Sequence, residues 1–202
     1  MRPGILSIVA ILSGAAILAQ EGQSAQQLFE AGQNDQALQA IMQMRERGTA
    51  GPAETYLAGQ ILLKANQHDG ARREFESLAP SGVEVWKLIG ASAIAALDNN
   101  NQGALDAATQ ATQASAGQFE AQYQLGYAKA RLDDWAGSAE ALERAIAINP
   151  EFAYAYYNAG QAYSRIKRTD RTAEHFERFL KLAPKAPERA AVESLMRTLR
   201  GR

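Results

Sequence analysis

FEAQYQLGYAKARLDDWAGSAEALERAIAINPEF (residues 119–152) is followed without a break by AYAYYNAGQAYSRIKRTDRTAEHFERFLKLAPKA (residues 153–186). Shifted by 34 residues the two stretches superimpose, keeping a glycine at Gly126 and Gly160 and a proline at Pro150 and Pro184. In the second stretch Tyr156, Ala159, Gly160 and Tyr163 recur at helical spacing and share one face of a first helix. Gly160 carries no side chain there, so a neighbouring helix comes close. Ala173, Phe176, Phe179 and Leu180 then recur every three or four residues, giving a second helix an apolar stripe that packs on the first. Pro184 ends the hairpin because it lacks an N–H and disfavours helix just before it. The first stretch repeats the scheme with Leu125, Gly126, Leu132, Trp135, Ala139, Leu142, Ala145, Ile146 and Pro150.

A period of 34 with these markers resembles the tetratricopeptide-repeat (TPR) family over both units, 119–186. The resemblance implies an all-α, right-handed TPR superhelix of antiparallel helix hairpins. Upstream, over residues 24–117, the pattern is that of degenerate hairpins. Residues 83–117 hold Trp86, Ile89 and Gly90 at the repeat's spacing, then Ala104, Ala108 and Ala111, with 98–103 as an enlarged turn. Residues 52–80 hold Gly59, Leu62, Ala71, Phe75 and Leu78 with a shortened second helix, and residues 24–48 hold Leu28, Gly32, Ala37, Ile41 and Met44. About five hairpins result, the outer ones atypical as the ends of arrays are. Residues 187–202 add a C-terminal capping helix with Ala191, Leu195 and Leu199 spaced by four.

The opening residues have a different character. Arg2 supplies a positive start and residues 5–18 form an uncharged run rich in Ile, Leu and Ala. That is a signal-peptide layout, and the run is shorter than the about 20 apolar residues a spanning helix needs. A signal peptide over 1–19, cut after Ala19, is expected, which makes the protein periplasmic or secreted. Ile17 stands at the minus-three position, where a small residue is the norm, so a retained N-terminal anchor is the alternative and a buried core helix the third. A membrane contact is expected only if the segment is retained.

Composition narrows the function. Hydrophobic residues make up 47% of 202 residues, with abundant alanine, which favours helix. The net charge of -1 gives no broad positive field, so no nucleic-acid partner is expected. There is no cysteine, hence no disulfide, thiolate metal site or thiol nucleophile. His68 and His175 are the two histidines, read as a turn residue and a surface or interhelix residue. Glu140 and Glu143 look like a solvated face with weak surface pairs to Arg144. Residues 98–103 lack the glutamate that a calcium loop needs at its twelfth position, where Thr109 stands. Neither a catalytic constellation nor a metal or cofactor site emerges, and an enzyme is not expected.

In the TPR family the concave groove is lined by the first helix of each hairpin, and the resemblance assigns to it Tyr56, Lys64, Lys87, Tyr123, Tyr127, Arg131, Tyr157, Asn158, Gln161 and Arg165. Tyrosines give rigid amphipathic area at low entropic cost and arginines bind carboxylates. A protein or peptide ligand with acidic or aromatic residues is the implied partner. The family's carboxylate clamp is incomplete, because Lys87 is followed four residues later by Ala91, not asparagine. The function expected is a non-catalytic interaction scaffold of the cell envelope. The alternatives are a membrane-anchored TPR subunit of an envelope assembly or secretion complex and, third, an accessory module of an enzyme.

Overall fold

The computed structural model describes residues 23–201, so the signal or anchor expected over 1–19 lies outside the described residues. The described residues form eleven α-helices: α1 (Ala25–Glu30), α2 (Asn34–Glu46), α3 (Pro52–Lys64), α4 (His68–Glu76), α5 (Glu84–Leu97), α6 (Asn101–Ala114), α7 (Phe119–Ala130), α8 (Trp135–Ile148), α9 (Ala153–Arg165), α10 (Thr169–Leu182) and α11 (Arg189–Arg200). One 3-10 turn, Ala79–Ser81, follows α4. Consecutive helices pair into five hairpins, and α11 packs on α10 as the cap. Among the described residues no helix is long and apolar enough to cross a membrane.

One backbone position unifies the five hairpins. Gly32, Asn66, Asn99, Asp133 and Lys167 all have positive φ, between 58° and 75°, and fall 34, 33, 34 and 34 residues apart. Each stands in the turn between the two helices of its hairpin, where the left-handed conformation reverses the chain within three or four residues. Glycine, asparagine and aspartate bear that conformation at low steric cost. The residue after it leads into the second helix, and in α6 and α8 it also caps it: Asn100 Oδ1 accepts from Gly103 N at 3.0 Å and Asp134 Oδ1 from Gly137 N at 2.9 Å. The enlarged turn expected over 98–103 is therefore absent. Asn99 supplies the left-handed residue, Asn100 caps, and α6 begins at Asn101, as in the other hairpins.

Packing follows the stripe read from the sequence. The first helix of a hairpin offers a glycine and the second drives a large side chain onto it: Phe75 against Gly59, Leu142 against Gly126, Phe176 against Gly160. Phe75, Leu142 and Phe176 are each at most 2% exposed. The alanines of the second helices, Ala104, Ala108, Ala111, Ala139 and Ala145, are buried and let helices approach closely. Two details depart from expectation. Leu132 sits in the turn after α7 and remains 39% exposed. In α11 the buried stripe is Val192 and Met196, while Leu195 stands exposed, because the helix rotates its neighbouring row onto the array.

Candidate functional site: the concave face

The first helices α3, α7 and α9 turn the predicted groove positions toward one another, and several of them bond across the array. Tyr56 Oη donates to Gln124 Oε1 at 2.9 Å, joining α3 to α7. Asn158 Nδ2 donates to Tyr123 Oη at 2.8 Å, joining α9 to α7. Burial holds both phenols well above their usual pKa, so they act as neutral hydrogen-bonding groups. The Tyr123 ring belongs to an aromatic ladder in which Phe119, Tyr123, Phe152, Tyr154 and Tyr157 meet in succession at centroid separations of 5.3–6.4 Å, while the Tyr56 ring lies 5.9 Å from Phe75. The wall expected to be open is in this part an interior. Tyr56 is 3% and Tyr123 7% exposed, because the array curves tightly enough to bring α3 onto α7.

Lys64 is engaged in the same way. Its Nζ lies 2.8 Å from Glu188 Oε1 and 3.9 Å from the centre of the Tyr154 ring, whose hydroxyl it also meets. Tyr154 Oη in turn donates to Glu188 Oε2 at 2.9 Å. Burial lowers the Lys64 pKa against the pull of Glu188. Burial would raise Glu188, but hydrogen bonds from Lys64 and its own backbone outweigh it and hold the carboxyl below its usual range. Lys87 stays outside the cluster, exposed and 3.5 Å from Glu84. Arg131 donates to Asn101 Oδ1 at 2.7 Å and Asn99 Oδ1 at 3.0 Å, next to Tyr127, which is 41% exposed.

An open cavity lies at the C-terminal end of this face. Its volume is about 320 Å³ and it is lined by Trp135, Tyr157, Gln161, Arg165, Val192 and Leu195. Three of these, Tyr157, Gln161 and Arg165, are positions the repeat register assigns to the groove. The guanidinium of Arg165 lies 5.0 Å from the Trp135 ring centre, a cation-π arrangement that fixes it over the cavity. Among the described residues no carboxylate pairs with Arg165. Tyr157 is half-buried and its ring is braced by Phe176 and Phe179 at 6.1 and 5.1 Å. The cavity therefore has a rigid aromatic floor, a cation without a carboxylate, an amide and an apolar wall. It suits an extended peptide carrying a carboxylate next to an apolar side chain.

A larger cavity, about 500 Å³, lies between α8, α9 and α10, lined by Glu143, Ile146, Tyr156, His175, Arg178 and Lys181 among others. Its histidine is committed to the fold: His175, 3% exposed, has Nε2 3.0 Å from Glu143 Oε1 and Nδ1 2.8 Å from the Arg171 carbonyl. Glu143 also accepts from Tyr163 Oη at 2.9 Å and from Arg171. Of the two glutamates read as a solvated face, Glu140 keeps its weak pair with Arg144 at 3.8 Å, whereas Glu143 turns inward and ties α8 to α9 and α10. His68 opens α4 and bonds Asn66 Oδ1 at 2.8 Å. Among the described residues no three His, Cys, Asp or Glu side chains converge as metal ligands.

Trp135 and Leu195 escaped the sequence reading as site residues. Trp135 reads as a core marker of its repeat, and Leu195 reads only as part of the Ala191, Leu195 and Leu199 row of the capping helix; with Val192 and Met196 buried instead, Leu195 is left to form a wall.

Residues 120–151 and residues 153–185 each match the tetratricopeptide-repeat family. No curated protein matches the chain by sequence. Among solved structures, a thermophilic TPR protein of Thermus thermophilus, TTC0263, is 18% identical over 87% of this chain and 94% of its own, with a TM-score of 0.61. YrrB, a TPR protein with an unusual peptide-binding site, is 18% identical over 89% of this chain and 96% of its own, with a TM-score of 0.53. The first TPR domain of Spaghetti (RPAP3), bound to the HSP90 peptide SRMEEVD, is 19% identical over 58% of this chain and 91% of its own, with a TM-score of 0.54. At these identities the likeness shows the fold.

Proposed function

We propose that this tetratricopeptide-repeat protein is a non-catalytic interaction scaffold that binds a peptide segment of a protein partner at Trp135, Tyr157, Gln161, Arg165 and Leu195. The observation that carries the proposal is a cation held over an aromatic floor with no carboxylate of its own to neutralise it. A peptide bringing an acidic residue beside an aliphatic or aromatic one would satisfy both. The RPAP3 domain's peptide ligand, SRMEEVD, is acidic, which is in keeping with such a partner. Tyrosine and arginine are also the residue types that concentrate binding energy at interfaces.

The Tyr157→Ala, Arg165→Ala double variant is expected to bind the natural partner at least about tenfold more weakly, a loss of roughly 1.4 kcal/mol or more. Its far-UV circular dichroism should match the native chain, because Arg165 is exposed and Tyr157 is a half-buried ring at the edge of the core, whose helix keeps its buried Ala159 and Gly160. Undiminished binding by a folded variant would remove the proposal.

The proposed site of action is the cell envelope, the protein reaching it through the signal expected over 1–19. N-terminal sequencing of the exported protein is expected to give a chain beginning near Gln20. A chain still beginning at the N-terminal methionine or Arg2 would instead favour the membrane-anchored subunit, the alternative that Ile17 at minus three keeps open.

A further inference from the structure

The contact that closes the array is not one that stacking of hairpins requires. Each hairpin is held by its sequence neighbour, yet the first also meets the fifth. Phe29 lies 5.0 Å from Tyr154, ring centre to ring centre. Gln26 Nε2 donates to the Glu151 carbonyl at 3.1 Å. Glu30, 3% exposed, accepts from Ala153 N at 2.6 Å. The Pro187 ring lies against Gly32, so closely that a Cβ there would stand 2.7 Å from its Cγ. Lys64, at the end of α3 in the second hairpin, completes the seam with its bond to Glu188.

We propose that the first hairpin is a latch: docked on the start of α9 it closes the inner face over Tyr154, and released it opens that face and its aromatic ladder to solvent. Glu30 is the group on which the latch turns. The N-cap residue of α9 is Phe152, which makes no side-chain capping bond, and the Glu30 carboxyl supplies the missing acceptor from the other end of the chain. Among the described residues no cation pairs with Glu30; the groups around it are Gln26 on its own helix, Glu151 and Tyr154 at the start of α9, Tyr123 on α7, and the Lys64–Glu188 pair, which is turned to Tyr154. The latch rests on this seam and not on the identity of any peptide partner.

The direction of control follows. Burial, opposed by the bond from Ala153, pushes the docked Glu30 carboxyl up from its ordinary 4.5 to about 7. Released, it returns to the ordinary value. The docked state thus holds the proton more tightly: docking is strongest below the ordinary value and weakens as pH rises through the docked one. Between pH 5 and pH 8.5 the docked-to-released ratio should fall roughly 100-fold.

The chain has no cysteine, so Gln39→Cys on α2 and Lys185→Cys after α10, both exposed, can carry a pair of spin labels in the whole protein. Electron-electron distance measurements at pH 5 should give one narrow population, and at pH 8.5 a longer one should grow beside it. Glu30→Gln, neutral at both pH values, should keep the narrow population throughout. A native distance distribution unchanged between pH 5 and 8.5, or a Glu30→Gln chain that responds to pH as the native one does, would overturn the latch. Because the labels read only the position of the first hairpin, failure here leaves peptide binding at Arg165 untouched, and the reverse.

Discussion

Gly160→Leu is expected to destabilise the last hairpin by at least about 3 kcal/mol, the upper end of what overpacking a filled core costs. A Cβ at Gly160 would already stand 2.7 Å from two carbons of the Phe176 ring. The ring has nowhere to go: Phe176 is 2% exposed and is flanked by Tyr157 at 6.1 Å. Leucine adds three more carbons to that contact, so α9 and α10 must separate. Urea unfolding followed by circular dichroism should show the loss, and amide exchange should be fastest in α9 and α10. A native-like midpoint would mean that the two helices do not touch at Gly160.

Phe75→Ala is expected to cost about 3–5 kcal/mol, as removal of a fully buried phenylalanine does. Phe75, 1% exposed, covers Gly59, meets Tyr56 at 5.9 Å, and lies at the joint where its carbonyl abuts Gly90 of the third hairpin. The melting temperature should fall by about 10 °C on the scale of a chain this size. Repeat arrays hold together by nearest-neighbour interfaces, so the damage should be local. The first two hairpins should lose exchange protection while α7 and α8 keep theirs. A loss below about 1 kcal/mol, or one spread evenly along the chain, would contradict the packing described for the degenerate half.

That half was the harder one to see in the sequence. In 119–186 the glycine of the first helix and the closing proline survive in both units, and the structure has its hairpins there. Upstream the markers are thinned, but the turn residue persists at the same interval as Gly32, Asn66 and Asn99. The last member of the row, Lys167, conceals the rule, because lysine gives no sign of a left-handed turn. Tyr157, Gln161 and Arg165 are assigned to the groove by the resemblance to the family, which ties those repeat positions to the inner face, and all three line the cavity at its end. The closure could not be read in this way. It joins Glu30 to Ala153, 123 residues apart, and depends on the curvature accumulated over four hairpin interfaces, which no local pattern encodes. For the same reason the burial of Tyr56 and Tyr123, expected to line an open groove, could not be known.

Peptide binding at the end of the inner face is tested most directly by a photo-cross-linking side chain placed at Gln161 in the whole protein within its native cells, with Glu140 on the exposed side of α8 as the control position. A discrete adduct from Gln161 that disappears when Tyr157 and Arg165 are both replaced by alanine, with none from Glu140, is the predicted result. Adducts formed equally from both positions, or from Gln161 regardless of the alanine replacements, would contradict it.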